Sequence, residues 1–137
     1  SEEGTLVIDA PLICPETIVT NDIAHIFPDG SFEILGRKDN VINSGGIKLQ
    51  TEQIEQKLAQ ILDVPFCITS APDPKLGERV VLLIELKTIS EQDLLTKISC
   101  FLDVYETPKQ IIPVDKIPMT PNGKIDRKAA KNMILVI

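Results

Sequence analysis

The chain has 137 residues, of which 43% are apolar and 25% charged, the balance of a polypeptide that folds around a core. Fourteen basic against twenty acidic side chains give a net charge of −6, which argues against a surface built for nucleic acid or anionic lipid. No apolar run approaches the roughly 18 residues of a membrane span.

In chain order, Ser1-Glu2-Glu3-Gly4 lacks the basic and then apolar start of a secretory signal, so a cytoplasmic protein is expected. Thr5–Asp9 and Thr17–Val19 read as short strands interrupted by Pro11 and Pro15. Asp22–Phe27 and Ser31–Leu35 flank Pro28-Asp29-Gly30, the composition of a tight hairpin. A meander this small is marginal alone and is expected to pack on something outside this chain. Beyond Gly36-Arg37-Lys38-Asp39, a second hairpin is predicted from Val41–Asn43 and Ile47–Leu49 around Ser44-Gly45-Gly46. A helix follows, with Thr51 as its expected N-cap and Ile54, Leu58, Ile61 and Leu62 on one face. Val64–Ala71 reads as a strand, then a turn over 72–77. Val80–Leu86 is almost wholly apolar, as in a strand covered on both faces. Ser90, with Asp93 three residues on, opens a second helix whose face is Leu94, Leu95, Ile98 and Leu102. Gln110–Val114 is a third strand, and a proline-containing loop leads to a helix begun at Arg127 that ends in the apolar Met133–Ile137.

The order hairpin, helix, strand, strand, helix, strand describes an α+β fold: a small mixed sheet flanked by helices plus a β-hairpin, preceded by a short β-meander. Three cysteines, Cys14, Cys67 and Cys100, form no Cys-x-x-Cys pair, and His25 is the single histidine, so no metal site is predicted. Cys67, in Pro65-Phe66-Cys67-Ile68, reads as a small core residue.

The charge is unevenly spread. Residues 1–104 carry a net −9, and residues 105–137 a net +3. Three glycine-bearing clusters stand out, Gly36–Asn40, Ser44–Lys48 and Pro118–Lys128. Paired glycines at 45 and 46 permit positive φ and let another molecule pass close to the backbone, although a plain hairpin turn needs them equally. In Pro118–Lys128, Pro121 suits position i+1 and Gly123 position i+3 of a β-turn, which leaves Lys124 just beyond an exposed tip. Lys124 reads either as an ordinary surface lysine or as an ammonium that loop or domain movement carries to an anion. No Walker-type phosphate loop and no Gly-x-Gly-x-x-Gly is present.

Three motifs in order make the chain resemble the C-terminal end of adenylate-forming enzymes, which include acyl-CoA and aryl-CoA synthetases, luciferases and peptide-synthetase adenylation domains. Thr20-Asn21-Asp22 is similar to the family's Thr-Gly-Asp motif. Gly36-Arg37-Lys38-Asp39 with Gly46, Lys48 and Glu52–Glu55 is similar to its hinge motif, and Pro121–Arg127 to its terminal lysine motif. The resemblance implies ATP-dependent activation of a carboxylate to an acyl-adenylate with release of pyrophosphate, then acyl transfer to a thiol, usually that of CoA. It implies that Asp22 and Arg37 bind the ribose of the nucleotide, that Asp39 is the hinge, that Lys124 is catalytic in adenylation, and that Gly45 and Gly46 line a pantetheine tunnel. It further implies that residues 1–38 are the end of a large N-terminal domain and 39–137 a mobile C-terminal domain. ATP, with Mg2+ held mainly by the large domain, and CoA are the expected cofactor and co-substrate, and the chain alone is expected to be inactive. Gly36–Asn40 followed by Ser44-Gly45-Gly46 looks most like o-succinylbenzoate–CoA ligases of menaquinone synthesis. A general fatty or aryl acyl-CoA ligase is the competing reading, and a non-catalytic module that binds a pantetheine arm or carrier protein is a third.

Overall fold

The paired strands at the start of the chain are rich in the β-branched residues Thr, Val and Ile, and they form a three-stranded antiparallel sheet. In the computed structural model, which describes residues 4–9, 12, 18–86 and 90–136, these strands are β1 (Thr5–Ile8), β2 (Ile18–Ile26) and β3 (Phe32–Arg37). The expected strands Thr17–Val19 and Asp22–Phe27 are in fact one: β2 runs through both, and Thr17 itself lies outside the described residues. Two register shifts accompany this continuity, one against β1 over Val19–Ile23 and one against β3 between Ile23 and Ala24. Pro28-Asp29-Gly30 closes the β2–β3 hairpin as expected, with Gly30 at φ +91° and the Phe27 N–H donating to the Ser31 carbonyl at 2.8 Å. Ile26, Phe32 and Ile34 share one face of this sheet through the pairs Ile26–Phe32 and Ala24–Ile34, and all three are exposed.

Two compact units divide the chain, Ser1–Val41 and Ile42–Ile137. The second is built on a five-stranded mixed sheet. Its strands are β4 (Val41–Ser44), β5 (Ile47–Gln50), β6 (Phe66–Asp73), β7 (Gly77–Ile84) and β8 (Gln110–Pro113). β6 pairs antiparallel with β7 along its whole length, β8 runs parallel to β7 from Val81 to Ile84, and β4 meets β7 at Ser44–Gly77. Three helices cover this sheet, α1 (Thr51–Leu58), α2 (Glu91–Ser99) and α3 (Arg127–Val136), which completes the α+β fold.

The apolar run of β7 has the predicted meaning. Val80, Leu82 and Ile84 point to one face and pack with Ile54 and Leu58 of α1 and Leu94 and Ile98 of α2. Val81 and Leu83 point to the other and pack with Cys67, Ile112 and Ala130 and Ile134 of α3. Each side chain of β7 from Val80 to Ile84 is almost wholly buried, which is worth roughly 1.5–3 kcal/mol apiece.

The helix starts differ from one another. Ser90 caps α2 as predicted, its hydroxyl accepting the Asp93 N–H at 3.1 Å. Thr51 does not cap α1: Gln50, in the extended region, is the N-cap, and Thr51 is the first helical residue and buried. β5 feeds α1 with no intervening loop, so the backbone changes from strand to helix at Gln50 and the threonine is turned into the core. Ile61 and Leu62, expected on the helix, lie beyond its end and still pack against the same core.

Candidate functional site

The first unit presents Asp22 and Arg37 together. They face each other across the β2–β3 pairing, where Asp22 is the register partner of Arg37, and the Arg37 Nη1 donates to Asp22 Oδ1 at 3.0 Å. Both side chains are substantially exposed, so the pair offers a carboxylate acceptor and a guanidinium donor side by side. Such a pair can take up the adjacent hydroxyls of a sugar. Asn21 stands where the Thr-Gly-Asp motif has glycine. Among the described residues no non-glycine residue has positive φ, so this position in β2 needs no glycine. Its side chain has a use instead: Nδ2 donates to Asp39 Oδ2 at 2.6 Å. Asp39 lies in a single 3-10 turn, Lys38–Asn40, with extended residues on either side, two positions before the boundary between the units. A short turn between extended flanks is the kind of segment that can absorb a hinge rotation.

In the second unit the Gly45-Gly46 turn joins β4 to β5 with both residues at positive φ, +61° and +83°. This is the two-residue hairpin geometry that demands glycine or asparagine. The Gly45 N–H donates to the Leu76 carbonyl at 2.8 Å, and a Cβ on Gly45 would meet Leu76 Cδ2 at 3.2 Å. A Cβ on Gly46 would meet nothing within 4 Å, so this glycine borders open space. The turn beneath is held by Asp73, whose Oδ1 accepts the N–H groups of Lys75 and Leu76 at 2.8 and 2.9 Å. Those bonds, that of Leu76 foremost, hold the Asp73 carboxyl below its ordinary range.

Lys124 stands on a small hairpin of its own. Thr120 and Lys124 face each other, with the Thr120 N–H donating to the Lys124 carbonyl at 2.7 Å and the Lys124 N–H to Thr120 Oγ1 at 3.2 Å. The Gly123 N–H reaches the Thr120 carbonyl at 3.0 Å, so Pro121 is i+1 and Gly123 i+3 of the turn, as read from the sequence. Gly123, at φ +81°, supplies the left-handed residue that three-residue hairpin loops use. Met119 and Ile125 bridge the two arms. Lys124 is exposed, and among the described residues no side chain pairs with its ammonium.

The sequence reading assigned no role to what anchors this hairpin. On one arm, Ile117 is buried and its N–H donates to Glu85 Oε1 at 2.6 Å. On the other, Asp126 caps α3, its Oδ1 accepting the Ala129 N–H at 3.0 Å. Arg127 then grips Glu55 of α1 through two hydrogen bonds, Nη2 to Oε1 at 2.6 Å and Nη1 to Oε2 at 3.1 Å. Burial works against the charge on Arg127, but the hydrogen bonds and charge of Glu55 outweigh it and raise its affinity for the proton. The only sequence signal for this pair is that both residues fall inside quoted motifs, 72 positions apart.

Cys67 sits beside this pair and is wholly buried. Burial, and then the charge of Glu55, push its thiol up from an ordinary 9.0 to about 12, with Arg127 offsetting part of the rise. A raised value means that stability is complete below pH 9 and declines as the unfolded thiol ionises between pH 9 and 12. At pH 8 a thiol-alkylating reagent is therefore expected to label exposed Cys100 and to spare Cys67 until the fold is denatured. Peptide mass spectrometry of the labelled chain reads this directly; equal labelling of both would show the Cys67 face to be open. Cys14 lies outside the described residues.

Among the described residues no group of three His, Cys, Asp or Glu side chains is placed to hold a metal ion, and no helix is long and apolar enough to cross a membrane. Residues 53–124, more than half of the sequence, match the AMP-binding enzyme C-terminal domain. The chain belongs to this family, part of the adenylate-forming superfamily. Triostin synthetase I of Streptomyces triostinicus is 32% identical over 118 residues, which are 82% of this chain and 22% of the synthetase. An acyl-CoA synthetase (AMP-forming)/AMP-acid ligase II-like protein of Dyadobacter fermentans has a solved structure 35% identical, with a TM-score of 0.63 over 94% of this chain and 39% of that one. The structure of E. coli MenE with a bound analogue of OSB-AMS is 26% identical with a TM-score of 0.68, over 90% of this chain and 27% of that one. The chain thus spans between about a fifth and two fifths of the length of these three proteins.

Proposed function

We propose that this domain serves an ATP-dependent acid–CoA ligase, in which a carboxylate and ATP give an acyl-adenylate and pyrophosphate, and the acyl group then passes to the CoA thiol. The observation that carries this reading is Lys124: an exposed ammonium with no side-chain partner among the described residues, on a hydrogen-bonded hairpin inside the family match. As the carboxylate oxygen attacks the α-phosphorus, negative charge gathers on the phosphoryl and carboxylate oxygens. An ammonium set in place beforehand stabilises that charge more than it stabilises the reactants. Asp22 and Arg37 take the ribose, and Asp39 is the hinge. Mg2+ accompanies ATP, held mainly by a large N-terminal domain preceding residue 39, of which residues 1–38 are the end.

The glycine hairpin serves the second half-reaction, in which Gly45 and Gly46 line the path of the pantetheine thiol. Arg127 donates to the Ile68 carbonyl at 3.4 Å, near the start of β6, while the hairpin rests on Leu76 beyond its end at Asp73. Five residue steps along β6 separate Ile68 from Asp73, roughly 17 Å. Lys124 and the glycines are therefore served by different ends of one rigid strand. Rotation of the unit as a body can then present one or the other.

For the acid we propose o-succinylbenzoate, and with it a place in menaquinone synthesis. The sequence Gly36–Asn40 with Ser44-Gly45-Gly46 and the likeness to MenE bound to an OSB-AMS analogue support this. The test is a panel of carboxylates assayed with the intact protein, ATP and CoA. Thioester formation led by o-succinylbenzoate is expected, and chain 1–137 alone is expected to release no pyrophosphate. Preference for a fatty or another aryl acid would overturn the acid assignment but keep the ligase. No thioester from any acid would overturn both and favour a module that only binds a pantetheine arm or carrier protein.

A further inference from the structure

We infer that Glu55 and Arg127 form a positioning pair that fixes where Lys124 stands during adenylation. This rests on the role proposed for Lys124 and adds to it two residues that never touch the substrate. Arg127 occupies the first position of α3, three residues after Lys124. A cation there faces the positive end of the helix dipole, so helix stability alone gives no reason for it. What holds it is Glu55, through the two-pronged contact at 2.6 and 3.1 Å, with exposures of 26% for the arginine and 14% for the glutamate side chain.

The contact is also keyed to the sheet. Glu55 Oε2 accepts the Ile68 N–H at 2.9 Å, while Arg127 Nη1 donates to the Ile68 carbonyl at 3.4 Å. Helix α1, strand β6 and the root of the lysine hairpin are thus joined at one residue. The hairpin itself is closed by its own backbone bonds from Pro118 to Asp126, including the Asp126 N–H to the Pro118 carbonyl at 2.9 Å. Its placement on the sheet depends on its two roots and on Ile125, which packs against the core, and Arg127 governs one of the roots. Lys124 has no side-chain partner among the described residues to place it, so its ammonium is as well placed as that root. A displacement of about 1 Å at a reacting centre can cost on the order of a hundredfold in rate.

The test uses Glu55→Gln and Arg127→Lys in the intact protein, each alone and in a Lys124→Ala background. Glu55→Gln keeps the shape and removes the charge, and Arg127→Lys keeps the charge and removes the fork. Each is expected to slow acyl-adenylate formation by about 10- to 100-fold in kcat with little change in KM for ATP. Acyl transfer from supplied acyl-adenylate to CoA should stay within about threefold. In the Lys124→Ala background both substitutions should cost almost nothing further, because the group they position is gone. Equal loss in both half-reactions, or full additivity with Lys124→Ala, would reduce the pair to a structural ion pair and overturn the inference. Should Glu55→Gln fail to fold, Arg127→Lys, which leaves no buried charge unpaired, carries the same readouts. If Lys124→Ala alone leaves adenylation unchanged, the role of Lys124 falls, and this inference falls with it.

Discussion

On the proposed role, Lys124→Ala in the intact protein is expected to lower the rate of acyl-adenylate formation by about 10²–10³-fold, the usual cost of removing one preorganised group from a charge-developing transition state. Acyl transfer from supplied acyl-adenylate to CoA is expected to stay within a few-fold of the parent, because the proposal gives the ammonium no part in thiol attack. The fold is unaffected. Lys124 is exposed and its side chain is outside both apolar clusters, so the stability change lies within about 0.5 kcal/mol. Pyrophosphate release measured beside single-turnover thioester formation separates the two effects. Equal loss of both half-reactions would sink the assignment, since a lysine needed equally for both could not be specific to the adenylation pose.

Gly46→Leu is expected to do the reverse. The residue sits at φ +83°, where a side chain costs roughly 1–2 kcal/mol, yet nothing lies within 4 Å of its Cβ position. The substituted chain therefore folds, somewhat weakened, with an isobutyl group projecting into the space assigned to pantetheine. Thioester formation is expected to fall by about a hundredfold or more, and adenylation to stay near the parent rate. Gly46→Asn, which tolerates the left-handed region with a smaller side chain, should fall between. This graded loss at constant backbone shape distinguishes obstruction from strain. A leucine variant that transfers its acyl group to CoA at the parent rate would remove Gly46 from the tunnel.

The legible parts of the fold were those written in local pattern. The five consecutive apolar residues Val80–Ile84 could only be a strand covered on both faces, and helices α1, α2 and α3 cover it. Ser90 with Asp93, and Pro121 with Gly123, stated a helix start and a turn because capping and turn chemistry act within four residues. Thr51 misled because threonine fits an N-cap by type, but the strand ran one residue further and buried it. The continuity of β2 was hidden because polar Thr20-Asn21 joins its two apolar halves, and the pairing with β1 and β3 that carries the strand through is set by the partner strands. In the candidate site, the resemblance pointed to residues one motif at a time, and the structure supplied what passes between motifs. Asn21, a departure from the motif, reaches Asp39; Glu55 of the hinge motif grips Arg127 of the lysine motif. Neither link is visible along the chain, because the partners are 18 and 72 residues apart.

The closed packing around β7 bears on how such a domain can evolve. Among the described residues its apolar layers are filled from Ile42–Ile134, on both faces of the strand, whereas the three-stranded sheet of the first unit leaves Ile26, Phe32 and Ile34 exposed. A part whose interior is complete can be inherited, duplicated or exchanged between genes without renegotiating the core of its neighbour. Substitutions inside it answer only to one another. The first unit has no such closure, and the large domain proposed to cover its exposed face would have to change in step with it. Recombination between related ligases should therefore succeed most often near Val41, where the closed interior begins.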